Sequence, residues 1–289
     1  MTTATESELI APDGTRLFVR DWSVNGDDGP KALAVVVHGL GEHAGRYEHL
    51  ADKLSGMGCA VRGADHRGHG RSSGLRGHVD GFSQYTGDMN HVIESFRETH
   101  GKDLPCFLIG QSMGGLLTLQ YLIERPEAGL SGAVLSNPCL GLAVKAPAAK
   151  LFAGRALARL LPRLRMDNEL NTDHLSRDPQ AVQAYVNDPL VHRHVSTRWY
   201  TSLLAAMDHV NGRARDVQVP TLWVIGDQDQ ICSPAVSDHF AQQLPKGRVD
   251  ISRWPEAYHE PHNGPDSEAV LTAISSWLRD QTDALSQSC

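Results

Sequence analysis

Hydrophobic and polar positions along the chain follow two alternating regimes. Ala32–Val37 reads ALAVVV, a continuous β-rich apolar run of the kind that forms a strand buried on both faces. Cys59–Ala64, residues 106–109, 132–135 and 221–225 (TLWVI) and residues 248–251 read as further strands. Between them, residues 47–55, 88–99, Met113–Glu124, residues 234–243 and residues 267–279 carry helical patterning. Near the start, Leu9-Ile10, then Pro12-Asp13-Gly14, then Leu17-Phe18-Val19 predict a hairpin with its turn at Asp13-Gly14. Strands alternating with helices predict a mostly parallel sheet covered on both faces. The rhythm breaks from about residue 137 to 213, where the pattern is helix-like with no strand signal. The simplest organisation is a core of residues 1–136 and 214–289 with a helical cap, 137–213, inserted above the carboxyl edge of the sheet. Folds of this kind bind ligands at that edge.

Length changes this picture little: 289 residues suit one large domain carrying an insertion. Charge narrows the partners. With 27 basic and 34 acidic residues the net charge is −7, which argues against nucleic acid. The five cysteines are odd in number and scattered, and no C-x-x-C occurs, so neither a disulfide framework nor a zinc site is expected. The N-terminus is polar, without an apolar signal core, and no apolar run is long enough to span a bilayer. These features predict a cytosolic protein.

Candidate chemistry centres on Leu108-Ile109-Gly110-Gln111-Ser112-Met113-Gly114-Gly115, between a predicted strand and a predicted helix. Gly110, Ser112 and Gly114 match G-x-S-x-G, the strand-to-helix turn that presents a nucleophilic serine. Small residues on either side let the chain double back, and the following helix aims its N-terminal amides at developing negative charge. The pattern is short enough to arise by chance, so its context carries the weight.

A serine hydroxyl needs a base, and the base needs an orienting acid. The motif predicts the chain order Ser, acid, His. Two loops at strand carboxyl ends qualify: Gly226-Asp227-Gln228-Asp229-Gln230 and Ala257-Tyr258-His259. His259 is singled out by position among fifteen histidines, with His262 as the fallback. Asp227 and Asp229 are both candidate acids, and spacing favours neither. The oxyanion hole calls for the Met113 amide and one from His38-Gly39-Leu40-Gly41-Glu42-His43, where Leu40 is the candidate donor. A phosphate-binding loop there is disfavoured, since neither G-x-x-x-x-G-K-[ST] nor G-x-G-x-x-G is present. Asp65-His66-Arg67-Gly68-His69-Gly70-Arg71-Ser72 reads as a structural turn, because two histidines three apart are not a zinc site without further ligands.

Five blocks together, HGLGEHAGRY, DHRGHGRS, GQSMGG, NDPL and EAYHEPH, resemble the monoacylglycerol lipase and lysophospholipase-like branch of the α/β-hydrolases. The match runs in order over nearly the whole chain, and the HGxGEHxGRY block is more specific than G-x-S-x-G. The resemblance implies an α/β-hydrolase fold and selects Asp229 as the acid. It implies Leu40 and Met113 as oxyanion donors, Glu42, Arg46, Tyr185 and His262 as contacts for a glycerol head group, and no metal or cofactor. It also places the Cys232 thiol beside the site without a part in the chemistry. The implied activity is cleavage of fatty-acid esters, monoacylglycerol first, through an acyl-enzyme. Carboxylesterase, lysophospholipase and peptidase activities are the alternatives.

The insertion adds one feature. Residues 145–165 carry Lys145, Lys150, Arg155, Arg159, Arg163 and Arg165 and no acid, with Leu151, Phe152, Leu157, Leu160 and Leu161 at near-helical spacing and Pro162 as a stop. Two readings stay open: a cap helix packed on the core with solvated charges, or a helix that docks at a membrane or micelle surface.

Overall fold

The computed structural model describes residues 4–24, 29–144 and 148–287, and the side chains of all of these except residues 148–153. Lys145 and Cys289, and the side chains of Lys150, Leu151 and Phe152, lie outside the described residues. The first three strands are β1 (Thr5–Ile10), β2 (Arg16–Trp22) and β3 (Ala32–Val37). Helix α1 (Glu48–Ser55), β4 (Cys59–Ala64), α2 (Phe82–His100), β5 (Cys106–Gln111), α3 (Met113–Glu124) and β6 (Gly132–Ser136) follow. The chain then runs through α4 (Ala148–Leu160), β7 (Arg165–Asp167), α5 (Pro179–Asn187), β8 (His194–Ser196) and α6 (Thr197–Asn211). It closes with β9 (Thr221–Gly226), α7 (Pro234–Ala241), β10 (Val249–Trp254) and α8 (Ser267–Ser286).

Eight strands form one sheet in the order β1-β2-β4-β3-β5-β6-β9-β10. The β1–β2 and β2–β4 pairs are antiparallel, and every other pair is parallel. Central strands are buried at every position, which is why they read as unbroken apolar runs. Side chains still alternate between two cores. Leu33, Val35 and Val37 join α2, α3, α6 and α7 on one face, while Ala34 and Val36 join α1 and α8 on the other.

Several boundaries differ from the sequence reading. α2 begins at Phe82 rather than 88, since Phe82, Tyr85 and Met89 bury one face across Gly87. β10 runs on to Trp254 and α8 to Ser286, both through polar residues at the protein's edge. The absence of strands from residues 137–213 is corrected. β7 and β8 pair antiparallel, three residues each, too short for a two-residue period to register. Within the same stretch α6 buries Trp199, Leu203, Met207 and Val210 in the core that α2 and α3 share. α4 ends before Pro162, as the sequence predicts. Among the described residues no helix is long and apolar enough to cross a membrane.

Candidate active site

The site is assembled at the carboxyl ends of β3, β5, β6, β9 and β10. Ser112 follows β5 directly and has φ 55° and ψ −117°, a conformation that costs a non-glycine residue about 1–3 kcal/mol. The surroundings hold it there. Ser112 N–H donates to Ser136 O at 3.0 Å, and its carbonyl accepts from Leu116 N at 3.1 Å and Cys139 N at 2.9 Å. A Cβ at Gly114 would stand 1.9 Å from the Val37 carbonyl oxygen, and one at Gly110 would stand 2.5 Å from Gly114 O. The two glycines therefore admit close backbone approach on either side of the serine.

Of the two candidate acids, Asp229 lies against the candidate base. His259 Nδ1 is 2.8 Å from Asp229 Oδ2, with both residues buried. Asp229 Oδ1 accepts from the N–H groups of Ile231 at 2.8 Å and Cys232 at 3.0 Å. Asp227 instead pairs with Arg253 near the surface. Burial works against a charged His259, but the Asp229 carboxylate outweighs it and raises the imidazole pKa. His259 makes no hydrogen bond with Ser112, and among the described residues its Nε2 has no partner. Ser112 Oγ has the Cys232 Sγ as its neighbour at 3.9 Å. The fallback, His262, stacks on Tyr47 and His49 with ring centroids 5.3 and 6.0 Å away, and burial lowers its pKa to about 3.

The candidate oxyanion donors are the right kind of group. The Met113 N–H is the first of α3, one of the unpaired amides that begin any helix. The Leu40 N–H has no hydrogen-bond partner among the described residues. Its loop is held by Glu42, whose Oε1 accepts from Gly39 N–H at 2.6 Å and the Tyr47 hydroxyl at 2.8 Å.

Of the residues implied for the head group, Glu42, Arg46 and Tyr185 come together. Arg46 lies over the Tyr185 ring, 4.7 Å from its centroid, and pairs with Glu42. It also makes a bidentate pair with Glu260 at 2.9 and 2.7 Å. Glu260 is a residue that sequence reasoning passed over, although it follows His259 directly. Asn137 is another. Its side chain donates to the carbonyls of Tyr258 and His259 at 3.1 and 3.0 Å and accepts from Gly226 N–H at 2.9 Å. One amide thus ties the β6, β9 and β10 loops together. Its φ of 38° marks the strained position, and the only sequence signal is an Asn-Pro pair at a strand end.

The DHRGHGRS turn lies directly behind the oxyanion loop. His66 N–H donates to His38 Nε2 at 2.9 Å, and His38 Nδ1 donates to Gly39 O at 2.8 Å. His38, His66 and His69 are buried, and burial lowers all three pKa values, that of His66 to about 4. They are neutral packing groups and hydrogen-bonding spacers. A group of three donors spaced as a metal could require occurs, among the described residues, at Asp229, Cys232 and His259.

A serine in a strained strand-to-helix turn, an Asp–His pair on neighbouring strand ends and a mostly parallel eight-stranded sheet define an α/β-hydrolase. The family model described as serine aminopeptidase, S33, matches residues 28–266, and the chain belongs to that family. It is similar to a monoacylglycerol lipase of Mycolicibacterium smegmatis, 31% identical over 96% of this chain and 97% of the relative. It is also similar to the phospholipase YtpA of Bacillus subtilis, 31% identical over 85% of this chain and 94% of the relative. Among solved structures, the Paleococcus ferrophilus monoacylglycerol lipase superposes with a TM-score of 0.82 at 33% identity, covering 92% of this chain and 99% of that one. The resemblance drawn from the five sequence blocks is borne out.

Proposed function

We propose that the protein hydrolyses carboxylic esters of fatty acids, with monoacylglycerol as the preferred substrate. The observation that carries this reading is the buried Asp229–His259 pair at 2.8 Å, on the same sheet edge as the strained Ser112. Ser112 Oγ attacks the ester carbonyl while His259 Nε2 takes its proton. Asp229 fixes the imidazole as the Nδ1–H tautomer and stabilises the imidazolium. The Ser–His hydrogen bond that this transfer needs is of the kind that tightens in the complex with substrate. The Leu40 and Met113 amides receive the oxyanion. His259 returns the proton to the departing alcohol, and water repeats the sequence to release the fatty acid. No step calls for a cofactor.

Residues 137–213 act on this reading as a cap over the site. Two contacts support it: His259 N–H donates to His174 O at 3.3 Å, and His192 N–H donates to Gly41 O at 2.8 Å. The cap also exposes Leu160, Leu161, Leu164 and Met166 beside Arg155, Arg159, Arg163 and Arg165, a surface suited to transient contact with lipid. The proposed protein works in the cytoplasm and visits membranes through this surface.

Release of glycerol from monoacylglycerol by purified protein tests the reading, and Ser112→Ala abolishes it with the fold retained. Faster turnover of lysophosphatidylcholine would instead favour the leaving group suggested by the phospholipase relative. Turnover of aminoacyl arylamides in place of esters would favour the peptidase activity in the family's description.

A further inference from the structure

The proposed reaction leaves one reactive group at the site unused. Cys232 is 1% exposed, and its Sγ stands 3.9 Å from Ser112 Oγ. One carboxylate oxygen of Asp229, one ring nitrogen of His259 and the Cys232 sulfur all lie within 4.8 Å of one another.

Asp229 is not a free ligand in this group. Its Oδ2 holds His259 Nδ1 and its Oδ1 accepts two backbone N–H groups. The remaining donors are His259 Nε2, which has no partner among the described residues and sits on a side chain 5% exposed, the partly exposed Ser112 hydroxyl and the Cys232 thiol, which a hydrogen bond with Cys139 and burial keep protonated until a cation displaces its proton. An imidazole whose other nitrogen is held by a carboxylate is the usual arrangement behind a metal-bound histidine. Sulfur and nitrogen donors favour Zn²⁺ and similar thiophilic cations, whereas Mg²⁺ and Ca²⁺ take oxygen.

We propose that Cys232 and His259, with the Ser112 hydroxyl, bind a thiophilic divalent cation, with Asp229 as the outer carboxylate, and that this cation switches hydrolysis off. A metal–sulfur bond replaces the S–H bond, the thiol proton leaves to solvent, and no group is oxidised or reduced. The cation takes the His259 lone pair that would accept the serine proton. The inhibitory half of this inference rests on the proposed roles of Ser112 and His259, while the binding half stands without them.

The two halves are tested separately. Zn²⁺ titrated into a p-nitrophenyl ester assay inhibits the enzyme, a chelator restores it, and Mg²⁺ and Ca²⁺ do not inhibit. Cys232→Ser, which keeps the volume but loses the thiol, still turns over ester and needs at least about tenfold more Zn²⁺ for half-inhibition. In the second arm, Cd²⁺ is added to the unmodified protein without ester and the sulfur-to-cadmium charge-transfer absorbance is read. The band appears and is lost in Cys232→Ser. Equal Zn²⁺ sensitivity in Cys232→Ser, or a cadmium band indifferent to that substitution, overturns the proposal. A protein that hydrolyses no ester yet gives the Cys232-dependent band refutes the lipase reading and leaves the metal site standing.

Discussion

Replacing Arg46 with Met removes the cation between two buried carboxylates and keeps most of the side chain's volume. The Arg46 side chain is 11% exposed, and those of Glu42 and Glu260 are 3% and 5% exposed. Burial alone would raise the Glu260 pKa, but the Arg46 charge and its hydrogen bonds lower it from 4.5 to about 2. At 1.36 kcal/mol per pKa unit, that shift is worth about 3 kcal/mol at neutral pH. Breaking a buried ion pair by removing one partner costs about 3–5 kcal/mol, the same range. For a chain of this size each kcal/mol moves the melting temperature by about 2 °C, giving an expected drop of about 6–10 °C by calorimetry. Adding Glu260→Gln to Arg46→Met removes one stranded charge and recovers part of the loss. Activity separates two roles for Arg46. If it braces Glu42, and through it the Gly39 N–H, kcat falls for every ester, including one without glycerol. If it binds the head group, KM rises for monoacylglycerol alone. A single variant that melts within about 1 °C of the parent would refute the bracing argument.

The other expectations are narrower. Gly114→Ala places a Cβ 1.9 Å from Val37 O, where only backbone could yield, and displacing α3 by about 1 Å should lower kcat about 10²-fold in the p-nitrophenyl ester assay. Asp229→Asn leaves His259 in the wrong tautomer and should lower kcat about 10⁴-fold with the melting temperature little changed. Because the folded pKa of His66 is about 4 against 6.5 unfolded, the unfolded chain binds more protons between those values. Stability is therefore full above pH 6.5 and falls as pH drops toward 4, by up to about 1.4 kcal/mol per unit from this group, measurable as a declining urea midpoint. If reversing Arg155 and Arg159 to Glu leaves cosedimentation with anionic vesicles unchanged, the lipid-contact surface is wrong.

Legibility in the sequence followed the length scale of each signal. Strands buried on both faces announced themselves, as at Ala32–Val37, because every position is apolar. The edge strand β10 lost its last three residues to the reading because Ser252 and Arg253 carry no apolar signal. Ser112 was legible because a short motif fixes its local turn. The choice between Asp227 and Asp229 was not, since both lie in one tight loop two residues apart. Which one turns inward depends on N–H donors from Ile231 and Cys232 and on the distant Arg253, which takes Asp227. Glu260 and Asn137 were missed for a related reason. Their partners, Arg46 for one and the Tyr258 and His259 carbonyls for the other, are more than a hundred residues away, and no local pattern encodes such a meeting.

That distance also accounts for the blocks that marked the family. Four of them meet in space as parts of one brace. Glu42 and Arg46 of the first block reach Glu260 of the last. His43 of the first contacts Asp188 of NDPL at 2.8 Å, and His38 supports His66 of DHRGHGRS. The fifth block, around Ser112, lies where a Cβ on Gly39 would be 3.5 Å from the Ser112 Cβ. A substitution in one block therefore strands a buried polar partner in another, at about 1–3 kcal/mol for a neutral group and more for a charge. Residues that only line a cavity carry no such penalty. The blocks thus specify where the Leu40 and Met113 amides stand relative to Ser112.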